Sequence, residues 1–142
     1  MDRLWNNKKI GTLGEAVAES YLKEKGYQIL QKNYSVVTGE IDIIAEKDDT
    51  VVFVEVKTRT TQQYGRPEES INNVKVNRIR KVAQYFLKRY DYTQDHDIRF
   101  DIVSILADRK RLERLSGKEH DTRRLVSISD HYCTIEHIAD AF

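Results

Sequence analysis

Four charged residues stand inside two apolar runs of the sequence, in an arrangement that can do chemistry. Glu40 and Asp42 belong to the first run, and Glu55 and Lys57 to the second. A charge among buried residues is costly unless a partner compensates it. Two carboxylates from neighbouring strands suit a hard divalent cation, which completes its shell with water and phosphate oxygens. A lysine beside that ion can position a water or stabilise charge on a phosphate, so the pattern indicates metal-assisted phosphodiester hydrolysis.

The two runs predict an antiparallel hairpin. A polar segment, residues 47–50, lies between them and is a turn signal. Whether the loop comprises residues 48 and 49 or residues 47–50, the register is the same, with Asp42 facing Glu55 and Glu40 facing Lys57. Because side chains alternate along a strand, we expect one apolar face that forms core. That face carries Ile41, Ile43 and Ala45 against Val52, Val54 and Val56, while Ile44, Val51 and Phe53 share the charged face.

An ordinary structural role explains the same charges less completely. Lys57 can neutralise Glu40 across the ladder and Glu55 along the strand, and short patterns of this kind occur on exposed sheet faces. Here the pattern falls between two strands in matching register, with an apolar reverse face. We therefore favour the functional interpretation.

Asp42 followed by Glu55-Val56-Lys57 resembles the PD-(D/E)XK signature of restriction-endonuclease-like nucleases, with Gly39 in place of the proline. Over nearly its whole length, the chain resembles the bacterial YraN family, also filed as UPF0102. The segments that carry this resemblance are Gly11-Thr12-Leu13-Gly14-Glu15, Gly26-Tyr27, Asn33-Tyr34, Gly39-Glu40-Ile41-Asp42, Phe53 to Arg59, Arg99-Phe100-Asp101 and Ile138 to Phe142. The resemblance implies an α/β restriction-endonuclease-like fold in one domain, residues 1–142, with a central mixed sheet, a catalytic hairpin and flanking helices.

The resemblance also implies roles for individual residues. It implies an endonuclease dependent on Mg²⁺ or Mn²⁺ that cleaves DNA, branched DNA included. Glu15, Asp42, Glu55 and the backbone carbonyl of Val56 would bind the metal, and Lys57 would activate water or stabilise charge. Archaeal Holliday junction resolvases share this arrangement and carry a metal-binding or catalytic glutamate on the first helix, which Glu15 matches. The homodimer we expect rests on the same resolvase analogy.

Considered without the resemblance, Glu15 has a simpler explanation. Residues 12–25 predict an amphipathic helix that stops at Gly26. A glutamate in the first turn of such a helix complements the helix dipole. Both interpretations of Glu15 stay open at this point.

A basic helix is predicted after the hairpin. Residues 57–90 carry a large excess of positive charge, whereas residues 32–56 carry an excess of negative charge. Ser70 is a fair N-cap, and apolar residues recur at helical spacing as far as Phe86. An acidic centre beside a basic element suits an enzyme that acts on a polyanion, although surface lysines also serve solubility alone. The residues expected to contact nucleic acid are Arg59, Lys75, Arg78 and Lys81, and Lys75 is the one expected to reach the site.

The C-terminal part of the sequence predicts shorter elements. Residues 98–106 predict a strand on which Arg99 and Asp101 form a structural pair. The charged segment 107–124 predicts a loop or hairpin that departs from the family pattern. A short strand near residues 125–128 and a terminal helix from Thr134 would complete the fold.

Composition favours a cytoplasmic protein with neither a disulfide nor a membrane span. The chain has 142 residues, one cysteine and a net charge of +1, and its first residues lack the apolar run of a signal peptide. His131, Cys133 and His137 lack a complementary Cys/His pair for zinc, and Gly11 and Gly14 lack the lysine of a phosphate-binding loop. Two rival functions fit the charges: a nucleic-acid-binding or assembly module without turnover, and an RNA-directed nuclease.

Overall fold

The residues that the structure describes form a five-stranded mixed sheet with helices on both faces. The computed structural model describes residues 5–60, 71–92, 96–117 and 121–142. In chain order the elements are α1 (Asn7–Glu24), β1 (Gln28–Val36), β2 (Gly39–Lys47), β3 (Thr50–Arg59), α2 (Asn73–Arg89), β4 (Asp97–Ala107), α3 (Arg109–Ser116), α4 (Thr122–Ser127), a 3-10 turn (Ser129–His131) and β5 (Cys133–Ile138). The sheet order is β1-β2-β3-β4-β5. This confirms the predicted α/β architecture with a central mixed sheet.

Helix α2 makes the single parallel connection among the described strands. Strands β3 and β4 are parallel neighbours, and the other three adjacent pairs are antiparallel. A parallel pair needs a crossover segment, which here contains the predicted basic helix. Helix α2 begins after the N-cap Asn72, whose side chain accepts a hydrogen bond from the backbone N–H of Lys75. The predicted N-cap, Ser70, lies outside the described residues.

The β2–β3 hairpin has the register that its turn predicts. Asp48 and Asp49 form the turn with φ angles of 50° and 60°, the left-handed conformation that two-residue hairpin loops require. Regular pairing runs from Lys47 opposite Thr50 to Ile43 opposite Val54. It does not continue to the pairs expected beyond that point, Asp42 with Glu55 and Glu40 with Lys57, so that part of the prediction is wrong. Beyond Ile43 and Val54 the two strands separate, and the side chain of Asp42 accepts the hydrogen bond of the Val56 N–H instead.

Both faces of the sheet are buried in two separate cores. Ile43, Ala45, Val52 and Val54 pack against α1, α3 and α4, whereas Ile44, Val51 and Phe53 pack against α2. Ile41 was expected beside Ile43, but it joins the α2 core. The alternation of side chains between the two faces of β2 is therefore interrupted at Asp42, so that Ile41 and Ile43 lie on opposite faces of the sheet. The facing strand is irregular at the same level, because Asn33 between the paired residues Lys32 and Tyr34 has a φ of 50°.

The predicted pair of Arg99 and Asp101 is present and belongs to a buried polar network. The guanidinium donates two hydrogen bonds of 2.8 Å to the carboxylate of Asp101, which has no exposed surface. Nε2 of His137 lies 2.7 Å from the same carboxylate, and the backbone N–H of Asp140 donates to it at 2.9 Å. This network fastens β5 and the C-terminal residues to β4.

Two predictions, the start of the first helix and the loop at residues 107–124, are wrong. Helix α1 begins at residue 7, earlier than the predicted residue 12, because Asn6 caps it by accepting from the N–H of Lys9. The segment 107–124, expected as a loop or hairpin, contains helix α3 and the start of α4. Asp108 and Asp121 cap these helices, and Leu112 and Leu125 anchor them in the α1 core.

The last two elements exchange their expected types. Residues 125–128 lie mainly in α4 and not in a strand, and Thr134 lies in strand β5 and not in a helix. β5 pairs with β4 from Ala107–Cys133 to Ile102–Ile138, so inter-strand hydrogen bonds decide its conformation. Within the described ranges, no helix combines the length and apolar character needed to cross a bilayer.

Candidate active site

A cleft of about 410 Å³ opens where β2 and β3 separate. It is lined by residues of α1, the two strands and α2, namely Asn7, Lys8, Gly11, Thr12, Glu15, Asp42, Glu55, Val56, Lys57, Thr58 and Lys75. Glu15, Asp42, Glu55, Val56 and Lys57, assigned above to metal binding or catalysis, are thus brought into one cleft.

Asp42 replaces the missing backbone pairing between the two strands. The N–H of Val56 donates a hydrogen bond of 2.8 Å to Oδ2 of Asp42. A second hydrogen bond joins Asp42 to Glu15, and two carboxyl groups can make such a bond only by sharing a proton. Burial, and then the negative charge of Glu55, raise the pKa of Asp42 well above its usual range, although the Val56 N–H opposes them. The site therefore concentrates more negative charge than its protein donors balance.

Glu15 is held in the cleft by close packing of α1 against β3. A Cβ atom on Gly14 would lie 1.9 Å from Oγ1 of Thr58, so glycine alone permits this approach. Glu15 lies two turns inside a helix that begins at Asn7, and the dipole explanation, which concerns the first turn, does not apply. Burial raises the pKa of Glu15, the hydrogen bond from Asp42 lowers it, and the charges of Glu40 and Glu55 raise it further.

Lys75 reaches the cleft from the first turn of α2. Its Nζ lies 2.6 Å from Oε1 of Glu55. The glutamate side chain is 13% exposed and the lysine side chain 43%, so this ion pair is partly shielded from water. Lys57 lines the cleft from β3, two residues beyond Glu55 on the same strand face.

The other predicted contacts lie outside the cleft. Arg78 and Lys81 are exposed on α2, one and two turns beyond Lys75. Arg59 is the last residue of β3. Two more basic residues of this region have structural partners, since the guanidinium of Arg80 lies 5.5 Å from the ring centre of Phe100 and that of Arg89 lies 5.3 Å from the ring centre of Tyr90.

The donor set fits a hard divalent cation. Its ligands are carboxylate oxygens, and Mg²⁺ commonly takes one or two of these together with water and substrate oxygens. In the part of the chain that is described, no three His, Cys, Asp or Glu side chains are already clustered as a closed ligand set. Glu55 is instead held by its ion pair with Lys75, and Asp42 accepts a hydrogen bond from the N–H of Val56.

A larger cavity, about 750 Å³, lies elsewhere, at the carboxyl ends of β3 and β4. Its lining includes Arg109, Lys110 and Arg111 together with residues 130–134. One of its carboxylates, Asp108, caps α3. The smaller cleft is therefore the candidate site, because acidic groups from three elements meet there.

Comparison with known proteins decides the family. A model of the family described as "Uncharacterised protein family UPF0102" matches residues 14–105. The chain belongs to the UPF0102 family. The matched span includes Glu15, Asp42, Glu55, Lys57 and Lys75, so the UPF0102 model covers the acidic side chains of the cleft together with Lys57 and Lys75.

Individual UPF0102 proteins are similar over most of their length. A UPF0102 protein of Alkaliphilus oremlandii is 50% identical over 100 residues, which cover 70% of this chain and 86% of that protein. One from Dictyoglomus thermophilum is 40% identical and covers 86% of this chain and 98% of that protein. One from Syntrophus aciditrophicus is 39% identical over 142 residues, 99% of this chain and 93% of that protein.

Sequence reasoning placed Glu15 of α1 at the site but missed the start of the helix as part of the cleft wall. Asn7, Lys8 and Gly11 also line the cleft, although the predicted helix began only at residue 12. The available signal was Asn6, a good N-cap residue one position before a stretch that can be helical.

Proposed function

We propose that this UPF0102 protein is a metal-dependent nuclease with a restriction-endonuclease-like fold, and that it hydrolyses phosphodiester bonds of DNA, branched DNA included. The observation that carries the proposal is the convergence of Glu15, Asp42, Glu55 and Lys57 in one cleft, with the pKa of Asp42 raised by burial and by Glu55. Residues whose pKa is strongly shifted by burial and a charged neighbour in a cleft cluster at functional sites.

In this proposal Glu15, Asp42, Glu55 and the carbonyl of Val56 would hold Mg²⁺ or Mn²⁺. The ion would supply charge stabilisation for the phosphate and a more acidic bound water. Lys57 orients the attacking water or stabilises negative charge on the phosphate oxygens. Water attacks phosphorus, the bond from phosphorus to the leaving oxygen breaks, and the water proton is released as the leaving oxygen gains one. A homodimer remains part of the proposal by the resolvase analogy.

Lys75 has a separate role in the proposed enzyme. Its ammonium neutralises Glu55 at 2.6 Å. A divalent cation bound by Glu55 would compete with this interaction and leave Lys75 available to a phosphate oxygen. Arg59, Arg78 and Lys81 would contact the nucleic-acid backbone outside the cleft.

The rival candidate is a nucleic-acid-binding or assembly module with the same fold and no turnover. The Lys75–Glu55 ion pair favours it, because this pair compensates one carboxylate without any metal. RNA as the substrate fits the charges as well as DNA does.

The deciding experiment is a cleavage assay with the purified full-length chain. Linear duplex, single-stranded and four-way-junction DNA, and a matched RNA, are incubated with Mg²⁺, Mn²⁺ or EDTA. We expect cleavage only with a metal, reduced about a hundredfold or more in Asp42→Asn and Lys57→Met. The matched control is Asp48→Asn, the same change in the exposed turn of the same hairpin, where asparagine tolerates a positive φ. Salt-sensitive binding without products under all conditions would favour the module.

A further inference from the structure

Helix α1 contains two glycines with opposite surroundings. Gly14 packs against Thr58, where a Cβ atom would lie 1.9 Å from Oγ1. A Cβ atom on Gly11 would meet no heavy atom within 4 Å outside the local helix backbone. Gly11 lies inside a continuous helix and has no positive φ, unlike Gly26, Gly39 and Gly117. Neither crowding nor backbone conformation therefore requires glycine at position 11, where it destabilises the helix relative to alanine.

Gly11 lines the candidate active site. Residues three and four apart share one face of a helix, so Lys8 and Glu15 are its neighbours on that face. Lys8, Gly11 and Glu15 all line the cleft. Because helical side chains lean toward the N-terminus, a side chain at position 11 would extend over the cleft surface between Glu15 and Lys8. The missing side chain leaves a gap in the α1 wall.

The charges around this gap suit a phosphate. The floor of the cleft is acidic, so a polyanion needs cations at the rim in order to enter. On the α2 wall, Lys75 is paired with Glu55. On the α1 wall, Lys8 is an exposed lysine that lines the cleft.

We propose that the backbone of the nucleic-acid substrate crosses α1 at Gly11, and that Lys8 pairs with the phosphate seated there. This inference rests on the proposed function, because it takes the occupant of the cleft to be a nucleic acid. It assigns to α1 a phosphate contact next to the scissile bond. The absence of a Cβ atom allows the sugar-phosphate chain to lie close to the helix.

The test separates binding from turnover. Fluorescently labelled four-way-junction and duplex DNA are titrated with the protein by anisotropy in Ca²⁺, which replaces the active metal. The variants are Gly11→Ala, Gly11→Leu and Lys8→Ala, and Lys9→Ala is the matched control because Lys9 is an exposed lysine next in the chain. Thermal unfolding and a Mn²⁺ titration are recorded for each.

We expect Gly11→Ala to raise the unfolding temperature by about 3 °C, because alanine is the better helix former. Gly11→Leu is expected to weaken DNA binding about tenfold or more while Mn²⁺ affinity stays unchanged. Lys8→Ala should weaken binding and lower the slope of log affinity against log salt by about one. Lys9→Ala should match the wild type.

Four outcomes decide the matter. Wild-type DNA affinity in Gly11→Leu overturns the inference, as does a wild-type protein that binds no nucleic acid in Ca²⁺. If the wild type binds but never cleaves with Mg²⁺ or Mn²⁺, the proposed function fails, and Gly11→Leu still decides where the backbone lies. If Gly11→Leu loses Mn²⁺ binding, the metal site itself is damaged and Lys8→Ala decides instead: wild-type DNA affinity and salt dependence in Lys8→Ala would overturn the inference.

Discussion

Nζ of Lys75 lies 2.6 Å from Oε1 of Glu55 and links the first turn of α2 to the central strand β3. The contact places one positive charge beside a glutamate whose negative charge raises the pKa of both Asp42 and Glu15. Lys75 is therefore the cation that partly balances the acidic cleft when no other ligand is bound.

Replacing this lysine should move two affinities in opposite directions. In Lys75→Met the carboxylates lose a competing cation, so we expect tighter binding of Mn²⁺, and the loss of a phosphate contact should weaken DNA binding. The free energy of unfolding in EDTA should fall by about 1 kcal/mol or less, because the pair is partly exposed. Isothermal titration with Mn²⁺, anisotropy with DNA and urea unfolding measure the three effects. Weaker Mn²⁺ binding would contradict this role.

Replacing Asp42 should stabilise the protein in the absence of metal. Asparagine keeps an oxygen to accept from the Val56 N–H but removes a carboxyl group whose ionisation is opposed in the folded state by burial, Glu55 and Glu15. We expect Asp42→Asn to raise the free energy of unfolding at pH 7 in EDTA by about 1 kcal/mol. With Mg²⁺ present, the wild type should gain stability by mass action and Asp42→Asn should gain much less. Asp48→Asn, which lies in the exposed turn, should show the wild-type response, and a less stable Asp42→Asn would disprove this account.

The Asp101 network should give the protein an acid-sensitive stability. Burial by itself would raise the pKa of Asp101, but hydrogen bonds from His137, Arg99 and the Asp140 N–H lower it to about 2. Because the folded-state pKa lies below the unfolded value of about 3.9, the contribution is complete above roughly pH 5 and is lost as the pH falls toward 2. It amounts to about 2 kcal/mol.

Urea unfolding between pH 7 and pH 2.5 measures this contribution. Asp101→Asn should flatten the acid limb of the stability curve, whatever its effect on absolute stability at pH 7. Asp97→Asn, at the exposed start of the same strand, is the control and should leave the slope unchanged. An unaltered slope in Asp101→Asn would place the acid sensitivity in other carboxylates.

Gly14 should tolerate no side chain. In Gly14→Ala the new Cβ would overlap Oγ1, Cγ2 and Cβ of Thr58, so α1 must move away from β3. We expect a loss of about 1–3 kcal/mol in the free energy of unfolding and, because Glu15 moves with the helix, a loss of cleavage activity. Gly14→Ala combined with Thr58→Ala should recover part of the stability, since two of the three overlapping atoms are removed. Gly11→Ala is the matched control in the same helix, and equal stability of the two alanine variants would refute the packing argument.

The hairpin register could be predicted because its determinants are local. A two-residue turn fixes which residues pair, so the ladder from Lys47–Thr50 to Ile43–Val54 follows from counting. Counting residues from the turn does not show where the pairing of β2 with β3 ends. The side chain of Asp42 competes with regular pairing for the N–H of Val56, and this competition depends on α1 and Glu15, which lie far away in the sequence.

The C-terminal elements could not be predicted because long-range contacts decide them. β5 is a short alternating segment that becomes a strand by pairing Ile135 with Ile105 of β4. Helices α3 and α4 are short and highly charged, and each is held by one buried leucine, Leu112 or Leu125, in the α1 core. Neither intrinsic propensity nor pattern is strong in segments of this length.

The turn formed by Asp48 and Asp49 determines which way Glu55 and Lys57 point at the opposite end of the hairpin, roughly 20 Å away. Because the turn sets which side of the sheet every later residue of β3 occupies, inserting or deleting one residue there would exchange odd and even positions along the strand. Glu55 and Lys57 would then point toward α3 and α4, and Val54 and Val56 toward α2. The length of a loop roughly 20 Å from the candidate site is in this sense one of the features that build that site.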